Sequence, residues 1–283
     1  REFILETGLK FQNLKSSNDG LFVHAALASA ERISLLNEVL VHHRLGNGNS
    51  VSNTRDRSWE SCLLYLKELR RYLLKKELFI CFEKSYLNWT MEFLYWNYQT
   101  LNERNREKLA DAMRNFFIEE LNVQQYNSAD FYNGFNKWFA DRIISMEDKK
   151  IPWTEEERFR KTYQLNDRKL KALQKYLFSH HWKAALWGAG IRGRAFAEVY
   201  GETWSSLEYA YDMDETKHGQ MLSYGIIIQK FDAKKQEGPE CILVLNETHL
   251  LSVLEKIKGK EAILFDMDFY LNSPMEIRTC VVK

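Results

Sequence analysis

Residues 184–193 read Ala-Ala-Leu-Trp-Gly-Ala-Gly-Ile-Arg-Gly, and this run leaves the chain few choices. Four apolar residues suit a buried strand. The glycines that follow, Gly188, Gly190 and Gly193, let the backbone turn tightly and open a helix close behind it. The surrounding pattern repeats the alternation. Helical spacing at 170–178 precedes the strand at 184–187, and a helix at 195–200 follows it. Strands are predicted at 207–211, 226–228, 242–245 and 262–265, with a helix at 250–257 before the last. Strands alternating with helices predict a sheet of parallel type over residues 165–283.

The first half of the chain is built differently. No proline precedes residue 152, which agrees with long uninterrupted helices. Trp59, Cys62, Leu63, Leu66, Leu69 and Leu73 mark one helical face. Apolar helical patterns continue at 79–98, 109–121 and 131–144, so residues 56–150 are predicted to form a helical bundle. Residues 1–55 read as a short α/β piece. A first helix stops at Gly8, and Ser17 and Asn18 are natural caps for a second, which carries Leu21, Phe22 and Ala25. Apolar runs at 33–36 and 39–41 read as strands, and Gly46-Asn47-Gly48-Asn49 as a turn. Pro152 and the charged run 155–161 mark the expected linker.

Composition excludes several classes. The chain has 283 residues, enough for two or three domains, with 40 basic against 39 acidic side chains. A net charge of +1 argues against wrapping nucleic acid by bulk charge. With 14% aromatic residues and 3 prolines it is not a disordered chain. No apolar run is long enough to span a membrane as a helix. Cys62, Cys81, Cys241 and Cys280 show no C-x-x-C spacing and read as buried reduced thiols of a cytosolic protein. No signal peptide is visible, and the start at Arg1 reads as a cut through a longer protein.

Asp19 is the first candidate for chemistry. It is a carboxylate at a predicted helix start, able to act as a general base beside a bound hydroxyl, or simply to cap the helix. Around it stand Gly8-Leu9-Lys10-Phe11, then Asn18-Asp19-Gly20-Leu21-Phe22, then His43-Arg44, then Ser50-Val51-Ser52. This order resembles the C-terminal end of the catalytic domain of family 2 glycosyltransferases, which have the GT-A fold. In that family the order is G-L-x-F, E-D-x-x-F, Y-R and S-x-S. Asn18 replaces the usual glutamate and His43 a common tyrosine.

The resemblance implies that Asp19 is the catalytic base of an inverting transfer. The sugar would pass from a nucleotide-sugar to a saccharide or glycolipid acceptor, as in polysaccharide biosynthesis. Phe22, His43, Arg44 and Ser50 would shape the acceptor and diphosphate site. A divalent metal, Mn²⁺ or Mg²⁺, would be held by a donor-binding half N-terminal to Arg1, and the protein would work in the cytoplasm, at the inner face of the membrane. His42 and His43 are adjacent, so a regular strand would send them to opposite faces and away from a common site. Arg44 suits either a phosphate or a salt bridge.

Further candidates lie elsewhere. Asp212-Met213-Asp214 and Asp266-Met267-Asp268 each follow an apolar strand, as a metal-binding D-x-D would. Asp212 also lies nineteen positions after Gly193, where a dinucleotide fold places the acid that holds a ribose hydroxyl. Gly188, Gly190, Gly193 and Asp212 are therefore candidates to bind NAD, another nucleotide or a sugar phosphate, with packing alone as the alternative. The run from Tyr211 to Gly219 resembles the D-D-N-P-x-K-x-G loop of small Rossmann-like modules found beside sugar-modifying enzymes. That resemblance implies a fold and no activity. Residues 55–76 are predicted to form a basic amphipathic helix, suited to an anionic membrane face or to packing with a solvated basic side. Trp89, Phe93, Tyr95, Trp96 and Tyr98 read mostly as core, with one ring available to stack on a sugar.

Overall fold

A computed structural model describes residues 1–36, 38, 40–41, 55–147, 151–152, 154–232, 238–246, 250–258 and 262–282. The fold is mixed: a helical part and an α/β part. The chain divides into two compact units, Arg1–Phe131 with Trp138–Ile151, and Tyr132–Lys137 with Pro152–Lys283.

The first unit is helical. Helix α1 (Glu2–Thr7) ends on Gly8, whose φ of 65° is the left-handed stop that glycine favours. Helix α2 (Gly20–Ser29) begins after Asp19. Neither Ser17 nor Asn18 is its cap, and Asp19 occupies that position without a capping hydrogen bond. Helix α3 (Ser61–Lys75) buries Cys62, Leu63, Leu66, Leu69 and Leu73, as their spacing predicts. Helix α4 (Phe79–Thr100) and α5 (Glu103–Asn115) follow, and α5 runs into a single π-turn at Phe116–Glu120. Helix α6 (Gly134–Ile144) comes last, and its part from Trp138 onward belongs to this unit.

The strand expected at 33–36 does not form. Those residues have no regular structure, with Leu35 93% exposed. A strand needs a neighbour to satisfy its backbone, and among its described residues the first unit has none. The run 39–41 lies partly outside the described residues. Cys81 also departs from expectation: it is exposed on α4, whereas Cys62, Cys241 and Cys280 are buried, and all four are free thiols. No helix among the described residues is long and apolar enough to cross a membrane.

The second unit is Rossmann-like. Strands β1 (Ala184–Trp187), β2 (Leu207–Tyr211), β3 (Ile227–Gln229), β4 (Cys241–Val244) and β5 (Ile263–Asp266) are parallel, and β6 (Val281–Val282) is antiparallel to β5. Their order is β3-β2-β1-β4-β5-β6. Period-two alternation buries both faces. Ala184 and Leu186 join one apolar cluster, with Cys241 and Leu243 beside them, and Ala185 and Trp187 join the other with Ile242 and Val244. Helices α7 (Glu155–Leu165), α8 (Asp167–Ser179), α9 (Ile191–Tyr200) and α11 (Met267–Asn272) supply the first cluster, and α10 (Leu250–Ile257) the second.

The charged run expected as a linker is the start of α7. Thr154 accepts from the Glu157 N–H, and Glu157 accepts in return from the Thr154 N–H, a reciprocal cap that starts a helix among charges. Phe159 and Tyr163 then pin α7 into the core of this unit.

Candidate functional site

Asp19 stands at the mouth of a cleft of about 480 Å³ in the first unit. The lining includes Lys15, Gly20, His24, Arg55, Tyr65, Trp89, Phe93 and Trp96. Helix α2 sets Asp19 and His24 little more than one turn apart. Helix α3 brings Tyr65, and α4 places Trp89, Phe93 and Trp96 along one face by i, i+4, i+7 spacing. Gly20 has a steric reason to be glycine, since a Cβ there would lie 2.8 Å from the Tyr65 ring.

Under the cleft runs a short polar network. The Trp89 indole donates to the Tyr65 hydroxyl at 2.8 Å, and that hydroxyl lies 3.0 Å from His24 Nδ1. The same Nδ1 is 2.9 Å from the Gly20 carbonyl. One nitrogen cannot both accept from Tyr65 and donate to Gly20, so the His24 tautomer selects the bond. Burial pushes the Tyr65 phenol well above its ordinary value. The Trp89 N–H opposes that rise, and the nearby Asp19 charge adds to it. Tyr65 therefore keeps its proton at neutral pH. Trp89 and Phe93 stack at 5.4 Å, and Trp89 stays 38% exposed, so part of the indole faces solvent. Tyr95 and Tyr98 are buried, as core residues should be.

The other residues singled out near Asp19 are not gathered in this cleft. Phe22 does not line it and stacks instead on Phe11, with centroids 4.7 Å apart, tying the Gly8–Phe11 run to α2. His43, Arg44 and Ser50 lie outside the described residues, as do His42 and Ser52. The basic face of α3 is partly neutralised within the unit: Lys67 pairs with Glu120 and Arg71 with Glu68. Two residues that line the same cleft as Asp19, His24 and Lys15, are ones the sequence did not single out. The one sequence signal for His24 is its position a turn beyond Gly20, and Lys15 has none.

The glycine turn lies at a second cleft, of about 360 Å³, at the carboxyl ends of β1, β2 and β4. Here the strand order reverses, the usual place for a ligand in an open α/β sheet. Gly188 has φ +104°, a conformation side chains resist. A Cβ on Gly193 would sit 2.1 Å from the Gly188 carbonyl oxygen, so α9 approaches the turn only because that side chain is absent. A Cβ on Gly190 meets nothing within 4 Å, and the first turn of α9 opens onto that space.

Asp212 is brought to this turn, but its oxygens are engaged. Oδ2 accepts from the Ala189 N–H at 2.8 Å and from Lys217 at 3.1 Å, and Oδ1 from the Asp214 N–H at 2.8 Å. Burial raises its carboxyl, yet the Asp214 and Ala189 donors and Lys217 together hold it below the ordinary value. The loop closes further through His218 Nε2 on the Asp212 carbonyl. Asp212 thus fastens the end of β2 to the glycine turn, with Lys217 and His218 holding its carboxylate and carbonyl in place.

Neither D-x-D string fits a divalent metal. Asp214 accepts from the Thr216 N–H and hydroxyl. Asp266 caps α11 through the Phe269 N–H, and Asp268 is bound by Arg192 at 2.7 Å and by Asn272. Each carboxylate already has its donors. A phosphate fits the glycine turn better, over Gly190, where α9 N–H groups converge. The cationic groups at this cleft, Arg192 and Lys217, are paired with Asp268 and Asp212.

Compared with known proteins, the chain matches no family model, no curated protein and no solved structure.

Proposed function

We propose that the first unit carries the acceptor side of an inverting glycosyltransferase similar to family 2, with Asp19 as its general base. The observation that carries this reading is the state of the Asp19 carboxylate. It makes no capping bond to α2, and it faces a cleft lined by exposed aromatic surface. A capping aspartate would bond the N–H groups of its helix. An aspartate that must take a proton needs its oxygens available, within reach of a bound hydroxyl. The sugar ring would lie against Trp89. Asp19 would remove the acceptor proton as that oxygen attacks the anomeric carbon. The nucleoside diphosphate would leave with its bonding electron pair, and the configuration would invert. Tyr65 and His24 act through position, fixing the first turn of α2. No step is assigned to a metal, because neither D-x-D string among the described residues fits one.

The test is sugar transfer from a panel of nucleotide-sugars, supplied to the full-length protein. Asp19→Asn is expected to lower turnover by about 10²–10⁴-fold, the usual contribution of a general base, with acceptor binding retained. Unchanged turnover would remove the assignment.

The open space over Gly190 favours a second reading, for the second unit: a site for a nucleotide or sugar phosphate. Its volume lies near the small end of ligand pockets, roughly 300–1,000 Å³, which suits a mononucleotide better than NAD. Gly190→Asp should abolish thermal stabilisation by such ligands and leave the unliganded midpoint in place.

A further inference from the structure

The Asp19 cleft holds a second feature that the transfer reaction does not require. The Arg55 guanidinium stacks on the Trp96 ring, 3.7 Å from its centroid. Among the described residues Arg55 has no ion-pair partner, and neither has Lys15 on the same lining. Both differ in this from Arg192 and Lys217, which are paired with carboxylates. A guanidinium over an indole face spends none of its N–H donors on the ring, and they keep the fork that matches a carboxylate or a phosphate. The cleft thus offers two cations with no ion-pair partner among the described residues, the aromatic surface of Trp89, Phe93 and Trp96, and one carboxylate at Asp19. Asp19 repels an anion and favours a hydroxyl. A single ligand satisfying all three would carry an anionic group at the Arg55 end and a hydroxyl at the Asp19 end.

We propose that the acceptor is an anionic saccharide, whose carboxylate or phosphate is bound by Arg55 on its Trp96 platform while its hydroxyl faces Asp19. This rests on the reading of the cleft as an acceptor site. Arg55 is thereby the specificity residue, setting which saccharides enter and taking no part in proton transfer. Trp96 supports the guanidinium from below, 3.7 Å from its ring centroid, so its contribution passes through Arg55.

The test is binding, which needs no donor. The full chain is titrated with methyl β-D-glucuronide, glucose 6-phosphate, methyl β-D-glucoside and inorganic phosphate, following the indole N–H signals by NMR, with the Trp96 signal assigned from Trp96→Phe. Both anionic sugars, or one of them, should bind about tenfold more tightly than the neutral glucoside and move the Trp96 signal. Which one does so separates a uronic acid from a sugar phosphate. Arg55→Gln should reduce that preference to about twofold or less, and Arg55→Lys should restore part of it, with the other indole signals confirming the fold. Equal affinity for the glucoside would overturn the anionic assignment and leave the acceptor reading standing. Inorganic phosphate binding as tightly as glucose 6-phosphate would show a bare anion site and overturn it too. Absence of binding by every sugar would overturn both.

Discussion

Replacing Gly193 by alanine separates packing from binding at the glycine turn. The added Cβ would lie 2.1 Å from the Gly188 carbonyl oxygen, where real Cβ contacts begin beyond 3.0 Å. The obstacle is backbone, so no side chain can swing aside. Either α9 retreats by about 0.9 Å or the turn deforms by as much. Neither movement is free, because α9 carries Ala195, Phe196 and Ala197 into the core without exposed surface. Overpacking of this kind costs about 1–3 kcal/mol, and a backbone clash belongs at the upper end. In a unit of roughly 140 residues that corresponds to a fall of about 10 °C in its thermal midpoint. Gly190→Ala is the matched control. Its Cβ meets no atom within 4 Å and its φ of −79° suits alanine, so its effect should stay within about 0.5 kcal/mol. Scanning calorimetry resolves the transition of the second unit in both variants. A wild-type midpoint for Gly193→Ala, or equal losses for the two, would refute this division of roles.

Two further outcomes follow from the second unit. Lys169 donates to the carbonyls of Tyr270, Leu271 and Ser273 at 2.9–3.0 Å, closing the end of α11. Lys169→Met keeps the stem and loses those bonds, so it should cost about 2–3 kcal/mol in denaturant unfolding, and a wild-type midpoint would show the carbonyls to be satisfied without it. Burial raises the Asp266 carboxyl, the Phe269 N–H opposes this, and the Asp268 charge raises it further, for a net upward shift. A carboxyl raised in the folded state adds stability below its unfolded value, and that stability is lost as pH rises through the folded one. Asp266→Asn keeps an acceptor for Phe269 and drops the charge. It should therefore melt higher than wild type at pH 7, with the gap closing below about pH 4, and a gap that does not change with pH would contradict the assignment.

The parallel sheet was legible because its signals are local. Continuous apolar runs of four residues, buried on both faces of the sheet, and a glycine turn after the first of them are written in adjacent residues. The runs at 184–187 and 33–36 look alike in composition, yet only the first has strands beside it. That difference lies in the partners, which no short window contains. The charged run at 155–161 misleads for the opposite reason: three glutamates suggest a solvated link, although Thr154 and Glu157 already spell a helix start. Asp266 and Asp268 carry two readings, a metal pair and a cap with an ion pair, and only Phe269 and Arg192 decide between them. At Asp19 the sequence offered the carboxylate itself. Much of its surroundings comes from the turn Arg55–Ser58, α3 and α4, some 36 to 77 positions away, from Arg55 to Trp96. Gly20 hints at a close approach but does not say that Tyr65 makes it.

The margins of the sheet have a consequence for how the protein keeps to itself. A parallel sheet ends in two strands whose outer N–H and C=O groups invite pairing by another chain. Here one margin is covered by β6, a two-residue antiparallel strand that takes the free side of β5. The other ends in β3, only three residues long and met by an isolated bridge from Met221 to Ile227. Neither margin offers an intruding strand a long, straight run of unpaired backbone. Shortening the chain by its last few residues would uncover β5, whose Leu264 and Phe265 are fully buried, and turn a closed margin into an adhesive one.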